Sequence, residues 1–230
     1  MTGPILLQAR ALLRRDARAA ATLVGPVDFS LCAGERIALT GPSGSGKSVF
    51  MRALARLDPI DGGELSWHGR RIERQAITRY RRSVVYVQQR PALIDGTVEE
   101  NLRYPYTLRV YRDVRFDRER AARLAHAAGK REDFLAKRAS DLSGGEGQVV
   151  ALIRVLQLAP EVLLLDEPTA SLDPQSARAV EALVAHWFDA DRASRASVWV
   201  SHDPAQAERV GNRRLTMRAG TLAAYEEANE

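Results

Sequence analysis

Gly41, Pro42, Ser43, Gly44, Ser45, Gly46, Lys47 and Ser48 form the pattern GxxxxGK[ST]. Each residue type has a use in holding phosphate. Glycines let the backbone curl until several N–H groups converge on one oxyanion, and a helix begun there adds its positive end. Lys47 supplies a point charge for the outer phosphates, and Ser48 a hydroxyl for Mg²⁺. A second constellation lies downstream, where the apolar residues 162–165 run into Asp166 and Glu167. A buried strand ending at the top of a parallel sheet delivers its last side chains to a ligand crevice. Asp166 is suited to hold Mg²⁺ through its water shell, and Glu167 to polarise an attacking water. The third constellation is Leu142, Ser143, Gly144, Gly145 and Glu146, ahead of an apolar helical pattern. It offers another hydroxyl and more free N–H groups at a helix start. A second anion-binding end makes sense if it serves a nucleotide held by another copy of the chain.

The elements that must position these residues alternate. Strand-like stretches at 5–7, 27–31 and 37–40 precede the glycine-rich loop. Val49, Phe50, Ala53, Leu54 and Leu57 then recur at helical spacing. Asp58-Pro59 and Asp61-Gly62-Gly63 mark a stop, followed by short strands around 64–67 and 84–87. From about 90 to 141 strand-like runs disappear, and 117–128 reads as an amphipathic helix that Gly129 ends. After that the pattern predicts a helix at 145–157, a strand at 162–166, a helix at 174–189 and a strand at 197–201. A short helix and a hairpin around Gly220 close the chain. Asp173 is placed to cap the 174–189 helix, with Pro174 at its first position. Alternating strands and helices predict an α/β fold with a mostly parallel sheet covered by helices.

Composition excludes several classes. Of 230 residues, 45% are hydrophobic and 27% charged, too apolar for a disordered chain. No apolar run approaches the ~20 residues of a membrane-spanning helix. The N-terminus has no basic stretch ahead of an apolar core, so no secretion signal is expected. The single cysteine, Cys32, rules out an internal disulfide framework and a Cys-rich metal site, and reads as a small buried residue. These features fit a reducing cytoplasm. The net charge of +5 comes almost wholly from scattered arginines, since Lys47, Lys130 and Lys137 are the only lysines. It reads as a solvated surface, and no nucleic-acid partner is expected.

Taken in order, the phosphate loop, the Leu142–Glu146 sequence LSGGE and the acidic strand end resemble the ATP-binding cassette (ABC) family, whose signature is LSGGQ with LSGGE variants. The remaining family marks fall in sequence. Tyr86-Val87-Gln88-Gln89-Arg90-Pro91 resembles the Q-loop, with Gln89 the functional glutamine because Pro91 and Gly96-Thr97-Val98 follow in register. The resemblance implies that Gln89 touches Mg²⁺ and the attacking water and links to a transport partner. Ser171, Leu172 and Asp173 resemble the D-loop that crosses a dimer interface. His202 resembles the switch histidine that contacts the γ-phosphate, while His68, His126 and His186 read as structural. Runs such as Asn101-Leu102-Arg103-Tyr104-Pro105 and Ile153-Arg154-Val155-Leu156-Gln157 are similar to the Fet-type ATPase of bacterial iron-export ABC systems.

The resemblance implies one nucleotide-binding domain over 1–230: a P-loop ABC ATPase core with an N-terminal antiparallel β part and a helical subdomain inserted at about 90–141. It implies ATP and Mg²⁺ as ligands. It further implies an ATP-sandwich dimer with a second copy, in which Ser143, Gly144, Gly145 and Glu146 meet the partner copy's ATP. A separate transmembrane permease completes the set, with this chain on the inner face of the cell membrane. The rival is a non-transport ABC ATPase, either a mechanical regulator of cell-envelope machinery or a DNA-repair type. The latter normally carries long coiled coils, and no sustained heptads are present here. Two departures stand out. Val149 stands where the family usually has Arg or Lys, a charge that Arg154 is placed to replace. Residues 1–28 hold no adenine-stacking aromatic, which leaves Leu13, Arg14 and Arg15 in that region.

Overall fold

A computed structural model describes residues 3–19, 21–90 and 92–224. They fall into two compact units. The first comprises the described residues of Met1–Tyr86, Glu161–Glu167 and Arg192–Glu230. It opens with β1 (Ile5–Arg15), β2 (Thr22–Cys32) and β3 (Arg36–Thr40), then helix α1 (Lys47–Leu54), β4 (Gly62–Trp67) and the two-residue β5 (Arg70–Arg71). Helix α2 (Ile77–Ser83) leads into β6 (Val84–Val87).

Strands β1, β2, β4 and β5 form an antiparallel sheet in the order β2-β1-β4-β5. Both long strands exceed the expected 5–7 and 27–31. Polar Gln8, Arg10, Arg14 and Arg15 break the apolar run while the strand itself continues. Its register shifts between Ala9 and Leu12, where Ala11 takes a positive φ of 47°. The Ala11 N–H then finds Asp28 Oδ1 at 2.8 Å instead of a ladder partner.

The second unit comprises the described residues of Val87–Pro160 and Pro168–Asp191. It is helical: α3 (Val98–Arg103), α4 (Arg118–Ala127), α5 (Gly144–Leu156) and, after β7 (Val162–Asp166) of the first unit, α6 (Pro174–Asp189). The first unit then ends with β8 (Ala196–Val200), helix α7 (Pro204–Val210), β9 (Arg213–Arg218) and β10 (Thr221–Ala224).

The larger sheet has the order β10-β9-β3-β8-β7-β6. Strand β3 runs parallel to β8 and β9, and β7 runs parallel to β8. Every residue of β7 and β8 is buried, as expected of parallel strands covered on both faces. The fold is thus α/β with an antiparallel N-terminal part. In parallel strands the same ends line up, so the residues following β3, β7 and β8 emerge at one edge of the sheet.

Within the second unit α5 packs against α3, α4 and α6. Helices α2 and α3 have no counterpart in the hydrophobic pattern, being seven and six residues long. A capping box starts α3 instead: Thr97 Oγ1 accepts from Glu100 N at 3.2 Å, and Glu100 Oε2 accepts from Thr97 N at 2.6 Å. Asp117 caps α4, and Asp173 caps α6 through Ser176 N at 2.9 Å. Among the described residues no helix is long and apolar enough to cross a membrane.

Candidate functional site

Residues 41–46 leave β3 and turn into α1. Gly41 has a φ of 138°, and a Cβ there would lie 2.2 Å from the Met217 carbonyl oxygen. Only glycine allows this approach. Gly46, at φ 103°, is the residue from which α1 starts. Around Gly44 (φ 76°) a Cβ would meet nothing within 4 Å, so the loop is open on that side. Lys47 is 5% exposed, and its ammonium donates to the carbonyls of Gly41 at 2.8 Å and Pro42 at 2.9 Å. Burial pushes its pKa down, opposed by the charges of Glu167 and then Asp166. Ser43 and Ser48 are exposed, whereas Ser45 is buried.

Strand β7 delivers the carboxylates. Asp166 is 6% exposed; its Oδ2 accepts from the Tyr86 hydroxyl at 2.7 Å, and its Oδ1 is buried with no hydrogen-bond partner. Burial, then the bond to Asp166, raises the Tyr86 pKa far above the usual tyrosine range, so the phenol stays a donor. Glu167 leaves the strand with a positive φ of 49°, a conformation that costs a non-glycine residue on the order of 1–3 kcal/mol. It brings Oε1 within 2.6 Å of His202 Nε2. A carboxylate only accepts, so Nε2–H is the donor. His202 follows β8 on a turn fixed by Ser201, which is 3% exposed. The Ser201 Oγ accepts from Asp203 N at 3.0 Å and donates to Gln206 Oε1 at 2.8 Å.

The fit to Mg²⁺ can be judged from these donors. No three His, Cys, Asp or Glu side chains cluster as a metal cage among the described residues. Asp166 Oδ1 is an orphaned buried oxygen, and the Ser48 hydroxyl is a second hard donor. Mg²⁺ is bound in this sparse way, through one or two protein oxygens plus phosphates and water. The residues present suit it.

The second unit carries the other expected residues. Ser143 caps α5 in a reciprocal box: its Oγ accepts from Glu146 N at 3.2 Å, and Glu146 Oε2 accepts from Ser143 N at 3.1 Å. Glu146 Oε1 also receives the Lys137 ammonium at 2.9 Å, which lowers the Glu146 pKa and raises that of Lys137. Gly144 is exposed, and a Cβ there would meet nothing. A Cβ at Gly145 would lie 2.4 Å from Ser176 Oγ, so α5 and α6 meet closely behind the cap. Ser171 and Asp173 are exposed and Leu172 is half-buried. Gln89 is exposed, two residues past β6. Pro91, used to set its register, lies outside the described residues.

Three expectations change. Arg154 does not replace a charge at the start of α5. It sits near the other end of that helix, donating to the Ala92 carbonyl at 2.9 Å, because about two turns of helix separate it from Glu146. Arg14 is held by Asp61 Oδ2 at 2.8 Å, and Leu13 is half-buried against Gly62, which leaves Arg15 exposed. Cys32 is half-buried rather than enclosed, and burial and then Glu35 raise its thiol pKa. The sequence alone assigns no role to Tyr86 or Lys137, and Asn101 enters only as the first residue of the Fet-like run at 101–105. Asn101, fully buried, donates to the Ile94 and Thr97 carbonyls and accepts from Ile94 N. A buried polar residue in an otherwise apolar helix face was the available signal.

Comparison with known proteins agrees with this geometry. The family model "ABC transporter" matches residues 24–170. Over 184 residues the chain is 36% identical to the probable iron export ATP-binding protein FetA of Escherichia coli (strain K12), covering 80% of this chain and 79% of that protein. It is also 36% identical over 213 residues to the phosphate import ATP-binding protein PstB 2 of Natronomonas pharaonis, covering 85% and 72%. Among solved structures, the ATP-binding cassette MJ0796, in a dimeric post-hydrolysis state bound to ADP and Pi, is similar with a TM-score of 0.83 and 26% identity. That likeness covers 98% of this chain and 100% of the other. The chain belongs to the ABC transporter family as a nucleotide-binding, ATP-hydrolysing subunit.

Proposed function

We propose that this subunit powers metal export, with iron as the cargo, through a separate transmembrane permease. The observation that carries the reading is the 36% identity to FetA across four fifths of both chains. Import ATPases match at the same identity, so direction and cargo rest on that likeness together with the Fet-like runs at 101–105 and 153–157. Exposed Ile94, Tyr104 and Leu108 in the second unit supply an apolar surface suited to a membrane partner. The segment 90–141 acts as the helical subdomain that carries it. In this reading the chain sits on the cytoplasmic face of the membrane.

The catalytic assembly is a dimer of two copies. Each ATP lies between the loop of residues 41–48 of one copy and Ser143, Gly144, Gly145 and Glu146 of the other, with Ser171, Leu172 and Asp173 at the interface. Lys47 binds the outer phosphates. Ser48, Asp166 and Gln89 hold Mg²⁺, which neutralises phosphate charge when bound. Glu167 takes the proton of the attacking water, and His202 both orients Glu167 and contacts the γ-phosphate. The small dimeric cassette MJ0796 supports the two-copy arrangement. The test is efflux of radiolabelled iron from loaded cells carrying the subunit and its permease. Lys47→Ala should abolish efflux; loss of uptake instead, or no change, contradicts the reading.

A further inference from the structure

We propose that Tyr86 is a positioning residue for the Mg²⁺ site: its hydroxyl fixes the Asp166 carboxylate and leaves Oδ1 as the oxygen for the hydrated ion. The inference rests on the reading of Asp166 as a Mg²⁺ residue. Tyr86 and Asp166 stand on the neighbouring strands β6 and β7, and the hydroxyl reaches Oδ2 at 2.7 Å. The other oxygen, Oδ1, is buried without a partner. Buried carboxylate oxygens are ordinarily hydrogen-bonded, so a carboxylate held on one side and bare on the other is prepared for something else.

Among the described residues no cation fills that need. Arg52, whose charge reaches both Tyr86 and Asp166, is held by Asp58 through two bonds of 2.9 and 2.8 Å. The Lys47 ammonium, although within reach of the Asp166 charge, spends its hydrogen bonds on the Gly41 and Pro42 carbonyls and not on that oxygen. A phenylalanine would fill the same space beside β7, so the hydroxyl is the part of Tyr86 that this arrangement uses. Groups that orient a metal-holding carboxylate typically change metal affinity by about 10–100-fold when removed.

The test is titration calorimetry of ADP binding to the full chain, with Mg²⁺ and with EDTA, for wild type, Tyr86→Phe, Asp166→Asn and the double variant. In EDTA, Tyr86→Phe should bind ADP within about twofold of wild type. The gain in affinity on adding Mg²⁺ should fall by about tenfold, and Mn²⁺ followed by electron paramagnetic resonance should bind more weakly by a similar factor. In the Asp166→Asn background the Phe substitution should change nothing further. Both affinities are read on one protein sample, so a lower yield of folded chain cancels. An unchanged Mg²⁺ gain in Tyr86→Phe overturns the inference, as does an equal loss with and without metal, which marks a merely structural role. A full Mg²⁺ gain in Asp166→Asn overturns the underlying reading of Asp166 as well.

Discussion

His202 Nε2 lies 2.6 Å from Glu167 Oε1, a charge-assisted hydrogen bond between two residues 35 positions apart in sequence. It joins the ends of two parallel strands, β7 and β8, that lie side by side in the larger sheet. Glu167 holds a positive φ of 49° to make it. Strain of this kind persists where the surroundings over-determine it, often at reactive sites.

Residues that act as a unit do not lose activity additively. His202→Ala should therefore lower the turnover of ATP by at least ~10²-fold, the scale of a positioned base. Glu167→Gln should do the same, and the double variant should be no slower than the worse single one. Nucleotide dissociation constants should stay within a few fold. Steady-state kinetics with fluorescence titration of nucleotide check this. Multiplicative losses would mean that the two residues act separately.

Much of this was legible in the sequence because local chemistry forces it. Gly41, Gly46 and Lys47 define a loop that few other residues could form, and Asp173-Pro174 set the start of α6 at the residue observed. The runs 162–166 and 84–87 gave β7 and β6 with their observed bounds. What was illegible depends on partners distant in the chain. The Tyr86–Asp166 bond spans 80 residues and exists only because β6 and β7 are sheet neighbours. The role of Ala11 as a register break in β1 is equally invisible, since alanine carries no signal for a positive φ.

The Lys137–Glu146 pair has a defined pH window. The folded carboxylate of Glu146 titrates below the ordinary glutamate value of about 4.3, and Lys137 above the ordinary lysine value of about 10.4. The contribution of the pair is thus full between those values. It is lost as pH falls through the lowered Glu146 value, or rises through the raised Lys137 value. Urea midpoints of wild type and Glu146→Gln should differ at pH 7 and converge toward pH 3. A constant difference down to pH 3 would show that the pair is not the source.

Adenine recognition should be weak. Arg14 is committed to Asp61, and Arg15 is the exposed cation of that segment. A guanidinium plane stacks on a base without reading its edge. Dissociation constants for ATP and GTP should lie within about a hundredfold, some 2.7 kcal/mol. Arg15→Ala should weaken both alike. A larger preference for ATP would point to a base-reading contact elsewhere.

The central claim is that two chains share each ATP, Lys47 from one and Ser143 from the other. The most direct measurement is sedimentation of Glu167→Gln with ATP, alone and with Ser143→Ala or Lys47→Ala added to the same chain. The account predicts a stable dimer for Glu167→Gln with ATP, and monomer for either double variant. Mixed Lys47→Ala and Ser143→Ala chains, each also carrying Glu167→Gln, should recover part of the dimer, because one of their two sites is intact. A Glu167→Gln chain that hydrolyses ATP normally and stays monomeric would contradict it.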